Sequence, residues 1–344
     1  MDGSGTQAKF PAVTGLAVDV SGNVYAAQQD RVRKIATTGL VSTLVGGGDN
    51  PAGQSFADGV GTAARFKSIG GIAVDSQTNI YVADTGNYAI RKISASGAVT
   101  TLAGGPNSQG YIDGPIASAK FTNPWTVTLD NAGNLYVLDM LGGPPSFDTF
   151  TPSQGYVIRK INTAGVVTTV PGGRFDGVIY PGKIVVDNSD NIYVTVLPAI
   201  RSAFVTLGVP YFVGSSYIRK ISPSGVQSTL AGSGESTSYE MLDGQGSSAR
   251  FASANDIAID SKGMLYVTDT QVGLNNSAIR RITPEGLVST VIGKIPRATA
   301  SNSIEYFPHC ANAIAIRQYP SVYVGAGYCG GNSPSRVVFV AQPQ

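Results

Sequence analysis

The sequence predicts an all-β chain: a six-bladed β-propeller of four-stranded antiparallel blades, its last blade left at three strands unless another segment completes it. Three observations predict it. One short hairpin unit recurs six times along 344 residues. The composition, 42% hydrophobic with 43 glycines and only 13% charged residues, suits an ordered core crossed by many tight turns. No segment carries a convincing helical period. Length alone would suggest two domains, but repeat architectures are the standing exception, because each repeat buries its apolar face only against its neighbours.

The unit reads apolar-x-apolar-Asp, four residues, then apolar-Tyr. It runs from Ala17-Val18-Asp19 to Val24-Tyr25, from Ala73-Val74-Asp75 to Ile80-Tyr81, and from Thr128-Leu129-Asp130 to Leu135-Tyr136. The fourth and fifth copies run from Val185-Val186-Asp187 to Ile192-Tyr193 and from Ala258-Ile259-Asp260 to Leu265-Tyr266. A sixth, Ala315-Ile316-Arg317 to Val322-Tyr323, keeps the spacing but replaces the acid with arginine. Turn-prone connectors such as Ser21-Gly22-Asn23 make each copy a hairpin. In five copies a third strand follows, as Arg33-Lys34-Ile35, Arg91-Lys92-Ile93, Arg159-Lys160-Ile161, Arg219-Lys220-Ile221 and Arg280-Arg281-Ile282, and then a fourth, as in Val99 to Gly104. A lone four-stranded sheet leaves an apolar face exposed, so the blades must pack around a channel. One domain, 1–344, is expected, with blades near 11–47, 67–105, 122–173, 179–233, 252–293 and 308–344.

These units resemble NHL repeats, whose signature pairs a strand ending in Asp with Tyr-Val-Ala-Asp and Arg-Lys-Ile strands. The second copy matches best, in Gly71 to Asp75, Tyr81-Val82-Ala83-Asp84 and Ile90-Arg91-Lys92-Ile93. The resemblance spans the chain and implies the propeller fold. It implies no single function, since such propellers include scaffolds, ligand-binding ectodomains and a few lyases.

A second motif, Asp-Gly-x-Gly-x-x-Ala-basic-Phe, joins one blade to the next. It stands at Asp2 to Phe10, Asp58 to Phe66 and Asp243 to Phe251, and more loosely at Asp113 to Phe121. Recurring between blades, it reads as a structural crossover with its phenylalanine wedged between sheets; a calcium loop would want more carboxylates close together. The anchor acids Asp19, Asp75, Asp130, Asp187 and Asp260 stand at equal positions in hairpin turns, where a carboxylate accepts turn N–H groups. Asp84, Asp139 and Asp269, at second-strand ends, read as loop caps. No metal site and no cofactor are expected: one histidine excludes a multi-histidine zinc centre. Gly46-Gly47-Gly48 ends a strand without opening a helix, and no Gly-x-Ser-x-Gly elbow is present.

The last blade is the odd one, since no segment obviously supplies its fourth strand and an open edge is a liability. With Ile316 facing Val322, the ladder brings Cys310 and Cys329 nearly opposite, within the ~4.4–6.8 Å that a disulfide needs between Cα atoms. A Cys310–Cys329 bridge is favoured over two buried thiols, and it implies an oxidising compartment.

Function is expected on the face where crossovers and second-to-third-strand loops emerge, because there the loops are long and unequal. The third blade inserts Met140 to Gln154, with Phe147 and Phe150; the fourth inserts Leu197 to Ser216, with Arg201, Phe204, Tyr211 and Phe212; the fifth inserts Gln271 to Asn276. Clustered aromatics with few charges suit stacking on a sugar or covering an apolar ligand. The alternative is that these loops seal the channel. Residues four or five positions before each anchor line the channel mouth: Thr14, Gly70, Trp125, Thr126, Lys183, Asn255, Asp256 and Asn312, with His309 nearby. For Lys183 and Asp256 an inter-blade ion pair is the structural alternative.

Two readings follow. In the first, a non-catalytic propeller binds a glycan or protein through the loops of blades three to five. In the second, a propeller enzyme of lyase or strictosidine-synthase-like type works at the channel mouth, with His309 or Asp256 as base and Lys183 as an electrostatic or covalent group. A net charge of +2 without basic runs offers nothing to nucleic acid. No apolar run reaches the ~20 residues that span a bilayer. The start, Met1-Asp2-Gly3-Ser4-Gly5, is polar and carries no signal peptide; both ends read as trimmed, so that membership of a larger chain stays open. Low charge with abundant Ser, Thr, Gly and Tyr suits an extracellular or cell-surface protein.

Overall fold

The structure, a computed structural model, describes residues 2–4, 7–10, 12–49, 53–141, 155–176, 179–198, 216–233, 240–271, 276–292, 310–318, 321–327 and 336–340. They form six antiparallel sheets. Sheet one holds β1 (Gly3–Ser4), β2 (Gly15–Val18), β3 (Val24–Ala27), β4 (Arg31–Ile35) and β5 (Leu40–Gly46), in the order β1-β5-β4-β3-β2. Sheet two repeats that order with β6 (Gly59–Val60), β7 (Ile69–Val74), β8 (Ile80–Asp84), β9 (Ala89–Ile93) and β10 (Ala98–Gly104). Sheet three does so with β11 (Gly114–Pro115), β12 (Pro124–Leu129), β13 (Leu135–Met140), β14 (Tyr156–Ile161) and β15 (Val166–Phe175). Sheet four has four strands, β16 (Ile179–Val186), β17 (Ile192–Pro198), β18 (Tyr217–Ile221) and β19 (Gln227–Ala231). Sheet five regains the fifth, with β20 (Gly244–Gln245), β21 (Ala254–Ile259), β22 (Leu265–Gln271), β23 (Asn276–Ile282) and β24 (Leu287–Ile292). Sheet six has three: β25 (Cys310–Gln318), β26 (Ser321–Gly327) and β27 (Arg336–Val340).

This is a β-propeller of antiparallel sheets, but not one of six equal four-stranded blades. Five blades are full, with four or five strands each, and the sixth sheet stops at three. The inner strands β2, β7, β12, β16, β21 and β25 pack in succession, and β25 packs on β2. The core lies between sheets rather than in them. Tyr25, Val32 and Val45 of sheet one meet Phe66, Ile72 and Val82, and Phe10, Leu16 and Val24 meet Ala313 and Ala315 of sheet six. Each blade thus buries its apolar face on the next, as repeat stacking requires.

The fifth strand corrects the expectation of a plain crossover. The Asp-Gly segment pairs antiparallel with the outer strand of the sheet it is about to enter, Gly59 opposite Val99. A buried ion cluster explains why. Asp58 accepts from Arg91 at 2.6 Å and from the Thr101 N–H and hydroxyl at 3.1 and 2.9 Å. Arg91, fully buried, also bonds Asp84 at 2.8 Å and lies over the rings of Phe56 and Phe66 at 4.4 and 5.1 Å. A guanidinium buried this deeply needs its charge matched and its fork filled. Arg159 and Arg280 repeat the arrangement with Asp113/Asp139 and Asp243/Asp269. Arg33 pairs with Asp2, and Gln28 replaces its second acid.

The anchor acids are structural, as expected. Asp19 accepts the N–H groups of Ser21 and Asn23 at one oxygen, and the Asn23 amide and Tyr25 hydroxyl at the other. Asp75, Asp187 and Asp260 hold their turns in the same way. Of the cysteines, Cys310 stands in β25 opposite Gly327, while Cys329 lies outside the described residues, so no disulfide is seen.

Candidate functional site

The three unequal insertions join β13 to β14, β17 to β18 and β22 to β23, the same connection in three consecutive sheets. Phe147, Phe150, Arg201, Phe204, Tyr211, Phe212 and His309 lie outside the described residues. The described part of the candidate site is therefore the channel and its mouth.

The channel is a cavity of about 240 Å³ enclosed by the six inner strands. Its wall is largely aliphatic, with Leu16, Ile72, Val127 and Ile184 among the lining residues, and Thr126, Lys183 and Asp256 add polar groups. Local backbone irregularity places the mouth residues. The inner-strand ladders shift register between Ile69 and Gly71, Pro124 and Thr126, Ala254 and Asp256, and Ala311 and Ala313. Gly70, Trp125, Asn255 and Asn312 each occupy the skipped position. A bulge turns its residue out of the ladder and re-aims its backbone groups. That is why a count back from the anchor acids lands on distinctive residues.

Lys183 reaches across the axis. Its Nζ donates to the carbonyl oxygens of Thr14 in sheet one at 3.0 Å and Gly70 in sheet two at 2.5 Å. The Trp125 ring stands beside the ammonium, its centroid 5.8 Å away. The residue is only 9% exposed. Burial pulls its pKa below the ordinary lysine value, and the charge of Asp256 opposes that pull.

Asp256 is a second stitch. One carboxylate oxygen accepts the N–H of Ile257 at 2.8 Å and the other the N–H of Ile314 at 3.0 Å, tying sheet five to sheet six. Burial pushes its pKa up to about 6, against the pull of Lys183 and the two N–H donors. The two side chains do not form the contact ion pair considered from the sequence; each is held by backbone groups and senses the other across the cavity. Asn255 is half-buried and its side-chain oxygen accepts the Ser253 hydroxyl at 3.0 Å.

Trp125, Lys183 and Asp256 thus gather at one end of the channel, and the backbone around Asn312 joins them there. The sequence reading missed the receiving groups, since carbonyl oxygens leave no mark in a residue pattern. It also missed Thr195 and Thr268, whose hydroxyls accept the N–H of Lys183 and Asp256 at 2.9 and 3.0 Å. Their matching place in the second strand was a usable signal. Among the described residues no group of three His, Cys, Asp or Glu side chains could hold a metal ion. Among the described residues no helix is long and apolar enough to cross a membrane.

No family model matches the sequence, the NHL repeat included, and no curated protein matches it. Solved structures do match in fold. A protein of unknown function from Bacteroides thetaiotaomicron is 19% identical over 99% of this chain and 72% of its own, with a TM-score of 0.63. An auxiliary nutrient-binding protein from the same organism is 15% identical over 96% of this chain and 70% of its own, with a TM-score of 0.58. A gluconolactonase from Xanthomonas campestris is 15% identical over 96% of this chain and 88% of its own, with a TM-score of 0.56. At these identities the likeness establishes the propeller fold alone.

Proposed function

We propose that this protein is a non-catalytic binding propeller, secreted or displayed on the cell surface, that holds a glycan or a protein with the loops above sheets three to five. The observation that supports this reading is the employment of Lys183 and Asp256. For either of them to act as a base or a covalent group at the channel mouth, it would have to be free to meet a substrate. Here the ammonium donates to Thr14 and Gly70, and both carboxylate oxygens accept backbone N–H groups. The insertions at 140–154, 197–216 and 271–276 then carry the variable chemistry, with Phe147, Phe150, Phe204, Tyr211 and Phe212 as stacking faces and Arg201 as a donor. A nutrient-binding protein of like fold accords with a binding role.

We further read β25 to β27 as the incomplete sixth blade of an NHL-type ring, and a Cys310–Cys329 bridge as its fastening. Thiol titration under denaturing conditions tests the bridge: two free thiols would exclude it.

A gluconolactonase of like fold favours a second reading, a propeller enzyme with His309 at the mouth. One experiment separates the two. A glycan array probed with the wild type and with a variant whose residues 199–215 are replaced by a short Gly-Ser turn should show binding lost in the variant. Lys183→Ala, Asp256→Ala and His309→Ala, assayed for hydrolysis of simple lactones, would each have to abolish turnover for the enzymatic reading to stand.

A further inference from the structure

Counted by their partners in the second strands, the inner strands place one residue of each sheet at each level of the channel. Gly15, Gly71, Thr126, Lys183, Asp256 and Ala313 share one level. Leu16, Ile72, Val127, Ile184, Ile257 and Ile314 share the next toward the anchor acids. Thr128 follows among alanines and Val185, and Val18, Val74, Leu129, Ile259 and Ile316 line the end. The cavity of about 240 Å³ therefore has hydrogen-bonding side chains at one end and a largely aliphatic wall beyond them. Every residue that lines it is among those described.

The polar level is incompletely satisfied. Thr126 is only 3% exposed, and its hydroxyl has no hydrogen-bond partner among the described residues. An ammonium carries three N–H groups, and Lys183 spends two of them on the Thr14 and Gly70 carbonyls. Each carboxylate oxygen of Asp256 accepts one N–H and keeps a lone pair. A buried donor or acceptor left without a partner costs free energy, so these groups favour an occupant that supplies what is missing.

We infer that the channel is a binding site for a short primary alcohol, its hydroxyl against Thr126, Lys183 and Asp256 and its tail along the aliphatic levels. A hydroxyl both accepts and donates, so it can take an N–H from the ammonium and give its proton to the carboxylate. A charged head fits worse: a carboxylate would face Asp256, and an ammonium would face Lys183. An apolar cavity of about 150 Å³ already takes a benzene ring, so a chain of about six carbons with one oxygen suits this one. The chain enters from the anchor-turn end, where Val18, Val74, Leu129 and Ile259 are partly exposed while Leu16, Ile72, Val127 and Ile257 are buried. Lys183 and Asp256 keep their backbone bonds, so the site binds without acting as base or nucleophile. It is separate from the loops of the proposed function and stands without them.

The test is titration of methyl-labelled protein with 1-hexanol, followed by NMR. Saturable shifts are expected at the Ile72, Ile184 and Ile257 methyls. Hexanoate and hexylammonium, which share the tail and carry a charged head, should bind at least about tenfold more weakly. Thr126→Val removes a hydroxyl that has no partner in the described fold, and should weaken 1-hexanol about fivefold. The inference is overturned by unmoved channel methyls, by shifts confined to residues outside the channel, by charged heads binding as well as the alcohol, or by unchanged affinity in Thr126→Val.

Discussion

The Nζ of Lys183, on the inner strand of sheet four, donates to the carbonyl of Gly70 on sheet two at 2.5 Å. That bond crosses the axis of the ring and joins sheets that are not neighbours. Packing between adjacent sheets stabilises each interface separately, whereas this contact couples sheet four to sheets one and two together. The ammonium thereby ties three inner strands together at the channel wall.

Lys183→Met keeps an unbranched side chain one atom shorter and removes the donor. It strands the buried Gly70 carbonyl and the partly buried Thr14 carbonyl and deprives Asp256 of its countercharge. A loss of about 1–3 kcal/mol in unfolding free energy is expected, read from urea denaturation. Unchanged stability would mean that the cross-axis bonds contribute nothing.

Asp256 makes stability depend on pH in a stated direction. Its pKa rises from 3.8 to about 6 on folding, so the folded state holds the proton more tightly. Stability from this group therefore increases as the pH falls from above 6 toward 3.8, and ionisation removes it again. Asp139, also raised to about 6 by burial, acts in the same sense. Asp2, Asp58 and Asp243 oppose it: burial raises them, but bonds from threonine and arginine outweigh burial and hold them low, so their contribution is lost in strong acid. Between pH 7 and 5, Asp256→Asn should remove on the order of 1 kcal/mol of the rise in stability, as measured by denaturation at each pH. A variant with the wild-type pH slope would contradict this.

The two acids around Arg91 differ in burial and should differ in cost. Asp84 is fully buried, whereas the Asp58 side chain is about half exposed. Asp84→Ala leaves a buried guanidinium half-neutralised and should cost about 3–5 kcal/mol. Asp58→Ala admits water to the same group and should cost about 1 kcal/mol. Equal losses in thermal or urea unfolding would refute the distinction.

Gly70 is required by close approach. A Cβ there would lie 2.2 Å from the Trp125 carbonyl oxygen, which belongs to the neighbouring inner strand and cannot swing away. Gly70→Ala should push sheets two and three apart and lower stability by roughly 1–3 kcal/mol, with the indole fluorescence of Trp125 reporting the displacement. A variant as stable as the wild type would show that the sheets can give.

The sequence made the repeat legible because hairpin, anchor acid and tyrosine recur at constant spacing, and a constant local turn needs constant residues. Trp125, Lys183 and Asp256 were legible for the same reason: counting back from an anchor finds the inner-strand bulge. The fifth strand was not, because a two-residue strand such as Gly59–Val60 has no periodicity, and its cause is an ion pair 33 residues distant in sequence, between Asp58 and Arg91. The partners of Lys183 were hidden as well, since they are main-chain oxygens on sheets one and two. The shortened blade count arose where the signature weakens, at Arg317 in place of the anchor acid.

Ligand binding by the loop-replaced and Lys183→Met proteins, compared side by side on the same glycan array, tests the central claim most directly. Loss of the array signal on replacing residues 199–215, with the signal kept in Lys183→Met, is the predicted result. Binding that survives loop replacement but disappears with Lys183→Met would place the ligand in the channel and contradict the account.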